Sequence, residues 1–333
     1  MARWFAGGLL VLAIAGFGAF QYGRSLLGPV SDDAAAILFG IETGTSFTAV
    51  AKRLEANGLI RSARAATWLA RAQGLDQKLH AGEYELSARQ STEEILETIT
   101  NGRVKTWPVT LPEGSRAVDI AARLEAAGLA RSEEFIAAAS DPVLASELGV
   151  PAAGLEGYLY PDTYRLPRGL SARQIARLMV KQFDRVWDEE VSDLADSSPL
   201  SKNEIVILAS IVEKETAAPA ERPLIASVFL NRLEKGMRLE TDPTVIYGIP
   251  KFDGNLRRKH LEDGNNPYNT YRIPGLPPGA IANPGSDALR AVVEPESADF
   301  FYFVSRNDGT HHFSVTYREH VNAVNRYQKR RRR

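Results

Sequence analysis

The sequence contains no cysteine. Disulfides, thiolate metal sites and cysteine nucleophiles are therefore excluded together. Histidine is scarce: His80, His260, His311, His312 and His320 include no His-x-x-x-His pair, so a helix-borne zinc site is not expected. Neither sign of charge dominates. Forty basic residues face forty-one acidic ones, for a net charge of −1, which argues against a nucleic-acid binder held by a global field. Long apolar runs are absent too, with one exception at the amino terminus.

No charged residue occurs from Trp4 to Gly23, and Arg3 and Arg24 flank the stretch. About twenty residues at 1.5 Å rise span roughly 30 Å, the thickness of a bilayer's hydrocarbon core. The segment reads as a single transmembrane helix with Trp4 and Tyr22 near the interfaces. A cleaved signal peptide is the alternative, because Ala13-Ile14-Ala15 has a small-x-small pattern; the apolar continuation from Gly16 to Phe20 favours the anchor. The short amino-terminal stub and the large remainder favour the amino end inside and the bulk outside.

What is present beyond the anchor is composition fit for folded cores: 333 residues with 44% hydrophobic and 24% charged. That length suggests about two domains plus extras. The expected division is residues 1–28 as stub and anchor, 29–150 as a repeat-containing region, 151–328 as a catalytic domain and 329–333 as a basic tail. A repeat recurs at an offset of seventy residues: GTSFTAVAKRLEANGLIRS (44–62) and GSRAVDIAARLEAAGLARS (114–132). Each copy has a Gly-Ser/Thr lead-in, a helix with apolar positions near 3.6 spacing, and a stop at Gly58 or Gly128. Between them, Ala81–Leu86 alternates like a strand, and Ser91 opens a helix with a capping-box-like start. Short βα units of this kind suit LysM-like carbohydrate-binding modules or, equally, a spacer between membrane and catalytic domain. The overall fold class is α+β. From about Gly154 the texture turns to loops dense in Pro, Gly, Tyr and Asn, where sites are commonly built.

The helix Asn203–Thr216 is the most informative element. Its middle, Ile205 to Val212, is apolar nearly all round and should be buried. Glu213 and Glu215, two residues apart, point about 200° apart and cannot share a face. Glu215 lies beneath Leu208, Ile211 and Val212, the heaviest apolar stripe, where desolvation would raise its pKa. A carboxyl kept protonated near neutrality can give a proton to a leaving oxygen. The plainer alternative pairs Glu215 with Arg222 or Arg232.

Six strings stand in one order: GLEGYLYPDTY (154–164), ASIVEKET (209–216), SVFLNRL (227–233), MRLETDPTVIYG (237–248), NPYNTYRIPGLPPGAIANPG (266–285) and FYFVSRNDGTHHFSVTYREH (301–320). Together they closely resemble the MltG/YceG family, the endolytic murein transglycosylases. One departure is Thr310, where many relatives carry a second glycine. The resemblance implies an inner-membrane enzyme with an extracytoplasmic catalytic domain that cuts peptidoglycan glycan strands internally, beside peptidoglycan synthases. It places the catalytic glutamate on Glu215. It also implies that Glu215 acts first as acid and then as base, with the muramyl 6-hydroxyl as nucleophile, so no metal or cofactor is required. Around Glu215 a sugar cleft is expected from Glu156, Tyr160, Asp162, Asp242, Tyr268, Asn269, Thr270, Tyr271, Asn283 and His311. Asp162 fits a turn former as well as a hydroxyl ligand, Asp242 a helix cap, and His311 a structural hydrogen bonder. Two other readings stay open: a muramidase-type hydrolase using Glu213, Glu156 or Asp242 as second carboxylate, and a non-catalytic wall-binding scaffold.

Overall fold

The structure is a computed structural model in which residues 14, 16–18, 21–216 and 218–329 are described. The expected transmembrane span, 4–23, lies mostly outside them, and so does most of the basic tail. Among the described residues no helix is long and apolar enough to cross a membrane. The architecture is mixed α+β, with three two-stranded sheets among the described residues. The chain forms two compact units, Met1–Trp107 with Arg165–Gly169, and Pro108–Tyr164 with Leu170–Arg333. Residues 108–150 thus fall in the second unit, and the sequence-based division at 150 does not coincide with the division into compact units.

In the first unit, β1 (Ile37–Ile41) pairs antiparallel with β2 (Gly82–Leu86), Phe39 opposite Tyr84 and Ile37 opposite Leu86. Alternation turns Phe39, Ile41, Tyr84 and Leu86 inward, where all four are buried. Against them pack α1 (Phe47–Ala56), α2 (Ala63–Ala72) and α3 (Thr92–Thr100), through Val50, Leu54, Ala66, Ile95 and Ile99. The expected capping box opens α3: the Ser91 N–H donates to Glu94 at 2.7 Å and the Glu94 N–H to the Ser91 hydroxyl at 3.2 Å.

The first helices of the second unit are α4 (Ala117–Ala126) and α5 (Ser132–Ala139). Its centre is α6 (Lys202–Glu215), opened by a Ser201–Glu204 capping box and buried at every position from Ile205 to Val212. No polar side chain interrupts that stretch except Ser210, whose hydroxyl donates to the Ile207 carbonyl at 2.7 Å. Helices α7 (Arg222–Glu234) and α9 (Ser286–Val293) pack against α6, and the short α8 (Asp242–Tyr247) touches its carboxyl end. A β3–β4 hairpin (Tyr302–Ser305, His311–Ser314) and α10 (Tyr317–Val324) complete the elements that surround the site.

Candidate active site

The two glutamates at the end of α6 part company as the helical angle requires. Glu213 is buried and neutralised: its carboxylate accepts from Arg222 Nη2 at 2.9 Å and from the Gly285 N–H at 3.1 Å. Arg222 is thereby taken, and Arg232 is drawn to Glu240 at 3.7 Å. Glu215, the last residue of α6, lines a cavity of about 350 Å³. Its Oε1 accepts a hydrogen bond from the Thr241 hydroxyl. That hydroxyl leaves α8 without a side-chain cap, although Thr241 is its N-cap residue. The donor is held in place by other hydroxyls: Thr241 N–H donates to Thr270 Oγ1 at 3.1 Å, and Thr244 Oγ1 donates to the Thr241 carbonyl at 2.8 Å.

Burial pushes the Glu215 carboxyl above its ordinary range, and the Asp242 charge adds to the rise. The Thr241 hydrogen bond and the charges of His311 and Arg232 oppose it. Opposed influences of this kind make a group that can hold a proton and then release it. Asp242 and Tyr271 share the cavity, the Tyr271 hydroxyl donating to Asp242 Oδ1 at 2.8 Å. Asp242 is exposed, unlike Glu213, and lines the cavity beside Glu215; Glu240 is also in the lining and is drawn to Arg232.

Several residues of this cavity were not expected as site members, among them Glu240, Thr241, Tyr302, Tyr317, His320 and Arg232, the last considered only as an ion-pair partner of Glu215. Arg232 is buried and donates to the carbonyls of Phe301 (2.7 Å), Arg238 (3.1 Å) and Leu239 (2.9 Å), which fixes a cation in the wall. His320 stacks on Tyr302 with ring centroids 5.3 Å apart, and its Nδ1 has no partner among the described residues. Burial, with the Arg232 charge, lowers the His320 pKa, which favours the neutral imidazole. Tyr317 lies three residues before His320 on α10, and that spacing puts both on one helix face. The spacing was the signal that could have found them.

The remaining expected residues gather elsewhere in the second unit. Asn283 is buried and uses its whole amide: Oδ1 accepts from the N–H groups of Gly157 and Leu159 at 2.8 Å each, and Nδ2 donates to Ser115 O at 2.9 Å and Glu156 Oε1 at 2.8 Å. Glu156 also accepts from the Ala117 N–H at 3.0 Å and the Tyr247 hydroxyl at 3.3 Å. Burial pushes its pKa up to about 7 against those hydrogen bonds. Gly157 must be glycine here. Its φ is +94°, and a Cβ would come within 2.6 Å of Ala280 and 2.7 Å of Val206. Asn269 is equally occupied, donating to the carbonyls of His260, Leu261 and Asp263 at 3.2, 3.2 and 2.7 Å. Thr270 belongs to the hydroxyl chain behind Thr241. Tyr268 packs its ring 4.7 Å from Tyr247. Tyr160 offers its carbonyl to the Tyr164 hydroxyl at 2.7 Å. Asp162 is an exposed turn residue bonded to its neighbour Thr163 at 2.6 Å and to Gln182 at 2.8 Å. His311 pairs through Nδ1 with Glu221 at 2.7 Å, and its N–H donates to the same carboxylate at 2.9 Å. The cavity therefore unites Glu215, Asp242 and Tyr271, whereas Glu156 and Asn283 form a separate buried knot. Among the described residues no cluster of His, Asp or Glu could hold a metal.

The profile of the YceG-like family matches residues 39–326. The chain belongs to that family. It is 32% identical over 327 residues to the endolytic murein transglycosylase of Bacillus subtilis strain 168, covering 93% of this chain and 90% of the relative. To the endolytic murein transglycosylase of Streptococcus pneumoniae serotype 2 strain D39 it is 30% identical over 328 residues, covering 89% of this chain and 59% of that longer one. A crystal structure of a YceG-like protein from Listeria monocytogenes superposes with a TM-score of 0.60 at 32% identity, covering 87% of this chain and all of the other.

Proposed function

We propose that this chain is an endolytic peptidoglycan transglycosylase that cuts the bond between N-acetylmuramic acid and N-acetylglucosamine inside a glycan strand and leaves 1,6-anhydro ends. The observation that carries this reading is Glu215: one carboxyl with a raised pKa, aimed into a cavity and held by a single hydroxyl. Protonated Glu215 gives its proton to the bridging oxygen as the muramyl C1–O bond breaks. N-acetylglucosamine leaves with a free 4-hydroxyl. The Glu215 carboxylate, now favoured by the Arg232 and His311 charges, takes the proton of the muramyl 6-hydroxyl while O6 bonds to C1. The carboxyl ends as it began, and no water is consumed. An internal nucleophile has a high effective molarity, which relieves the enzyme of binding a second reactant. The exposed Asp242 carboxylate stands where it can offset positive charge growing on the muramyl ring.

In this reading residues 4–23 anchor the chain in the bacterial inner membrane, the catalytic unit lies outside the cytoplasm, and peptidoglycan synthases are its neighbours. The strand–helix region between anchor and catalytic unit serves either as a glycan-holding module or as a spacer. Support for the anchor is the uncharged run flanked by Arg3 and Arg24.

Digestion of purified sacculi followed by mass analysis tests the chemistry. Anhydro ends are one water lighter than hydrolysed ends. Glu215→Gln is expected to slow their release by about a thousandfold while leaving thermal unfolding unchanged. Cleavage at the normal rate by that variant would sink the reading. Heavier ends made by the wild-type chain would instead favour hydrolysis, with Asp242 as the base, since it alone of the carboxylates first considered shares the cavity with Glu215.

A further inference from the structure

The second unit holds another cavity, about 670 Å³ in volume, that the cleavage chemistry does not use. It is linked to the first through the chain. Lys214, the residue before Glu215, lines it, and so do Pro243, Ile246 and Tyr247 of the helix whose first residue is Asp242. A long substrate with one part at Glu215 therefore has a second part within reach of this space.

The chemistry of its walls is uneven. Three cations, Arg116, Lys214 and Lys251, face one carboxylate, Asp119. Arg116 already binds that carboxylate at 3.2 Å. Lys214 donates to a neutral carbonyl, Gly114 O, at 3.2 Å and shares the Asp119 charge with Arg116, so the lining keeps an excess of positive charge. Lys251 is exposed and stands in a left-handed backbone conformation, φ +51°, which a glycine would adopt without strain. The floor is apolar and aromatic: Ile246, Tyr247, Phe252 and Ile281. A neutral sugar needs no such excess of cations. An anion carried on a short aliphatic chain matches both features, and a cavity of several hundred Å³ suits a ligand of a few residues.

Resting on the peptidoglycan reading above, we infer that this second cavity binds the acidic peptide stem carried by a muramyl residue near the scissile bond, with Lys214 and Lys251 taking its carboxylates. The enzyme then reads the peptide as well as the glycan, and strands that keep their stems are held more tightly than bare ones.

The test uses the full chain in detergent, carrying Glu215→Gln so that no strand is cut. Isothermal titration calorimetry compares a muramyl tripeptide bearing free carboxylates with the same compound after amidation. The free acid is expected to bind at least about tenfold more tightly, roughly 1.4 kcal/mol. Lys251→Glu should remove that difference, and Lys251→Arg should keep it, since both variants sit on an exposed loop. Equal affinity for the two probes, no binding of either at millimolar concentration, or an undiminished difference in Lys251→Glu would each overturn the peptide site. None of those results touches the cleavage reading. Conversely, wild-type cleavage by Glu215→Gln would remove that reading and leave a measured peptide preference in place.

Discussion

The two copies of the repeat, 44–62 and 114–132, fold alike and are used differently. Each gives a ten-residue helix, Phe47–Ala56 or Ala117–Ala126. Each closes with the same turn: the N–H of Leu59 donates to Leu54 O at 2.9 Å, and that of Leu129 to Leu124 O at 2.9 Å. They diverge at the helix start. In the first copy the Ser46 hydroxyl accepts from the Ala49 N–H at 3.3 Å, a cap supplied from within the repeat. The matching position in the second copy is Arg116, which has no short polar side chain to offer. There the free Ala117 N–H donates to Glu156, thirty-nine residues away, and Glu156 is held by Asn283. A carboxylate at a helix amino terminus is favourable whichever residue brings it. The consequence differs, however. A locally capped helix is complete in itself, whereas a remotely capped one is tied to the loops of the second unit.

The largest effect is expected where that tie is cut. Asn283→Ala removes four hydrogen bonds at once: the N–H groups of Gly157 and Leu159 lose their acceptor and Glu156 loses one of its donors, while Ser115 O keeps the backbone N–H at position 283. Buried groups stranded in this way cost on the order of 3 kcal/mol or more. Cutting the local cap with Ser46→Ala should cost about 1 kcal/mol. Denaturant unfolding of the two variants measures both. Equal losses would mean that the remote cap carries no extra weight.

A smaller effect separates the copies by pH. The Glu156 pKa is raised from 4.5 to about 7 in the folded chain. Between those values the folded state keeps a proton that the unfolded state has released. The associated stability is therefore fully present below pH 4.5 and is lost as pH rises through about 7. From pH 5 to 8 the loss should be on the order of 1–3 kcal/mol. Glu156→Gln stays neutral and can still accept from Ala117 and Asn283, so its stability should fall less over the same range. Superimposable pH curves for wild type and variant would contradict the raised pKa.

How much of this the sequence disclosed depends on distance along the chain. The repeat, the α3 capping box and the buried α6 are written in residues three to eight apart, and each was legible. So was the divergence of Glu213 from Glu215, which needs only the helical angle. Their partners were not. Arg222 meets Glu213 from nine residues on, Thr241 meets Glu215 from twenty-six, and Asn283 meets Gly157 from one hundred and twenty-six. No local pattern marks such pairs, because the loops that bring them together have no period. Asn269 and Asn283 illustrate the limit: both look like amides offered to a sugar, and both are consumed by backbone groups and, for Asn283, by Glu156. The loop-rich texture after Gly154 suggested a boundary near 150 for the same reason. It marks a change of local style, whereas Pro108–Tyr164 belongs to the same compact unit as α6.

The smallest expected effect probes what the copies share. Gly58 and Gly128 end the two helices at φ +68° and +66°. A side chain in that left-handed region costs about 1 kcal/mol, whatever surrounds it. Around Gly58 the site is open, with nothing within 4 Å of an added Cβ. Gly58→Ala should therefore register the backbone cost alone. If the turn is set wholly within the repeat, Gly128→Ala should match it to within a few tenths of a kcal/mol, although its helix is capped by Glu156. A markedly larger loss at Gly128 would mean that the remote cap and the turn, one at each end of α4, are coupled through the helix. The equality of the copies would then hold for their shape and not for their energetics.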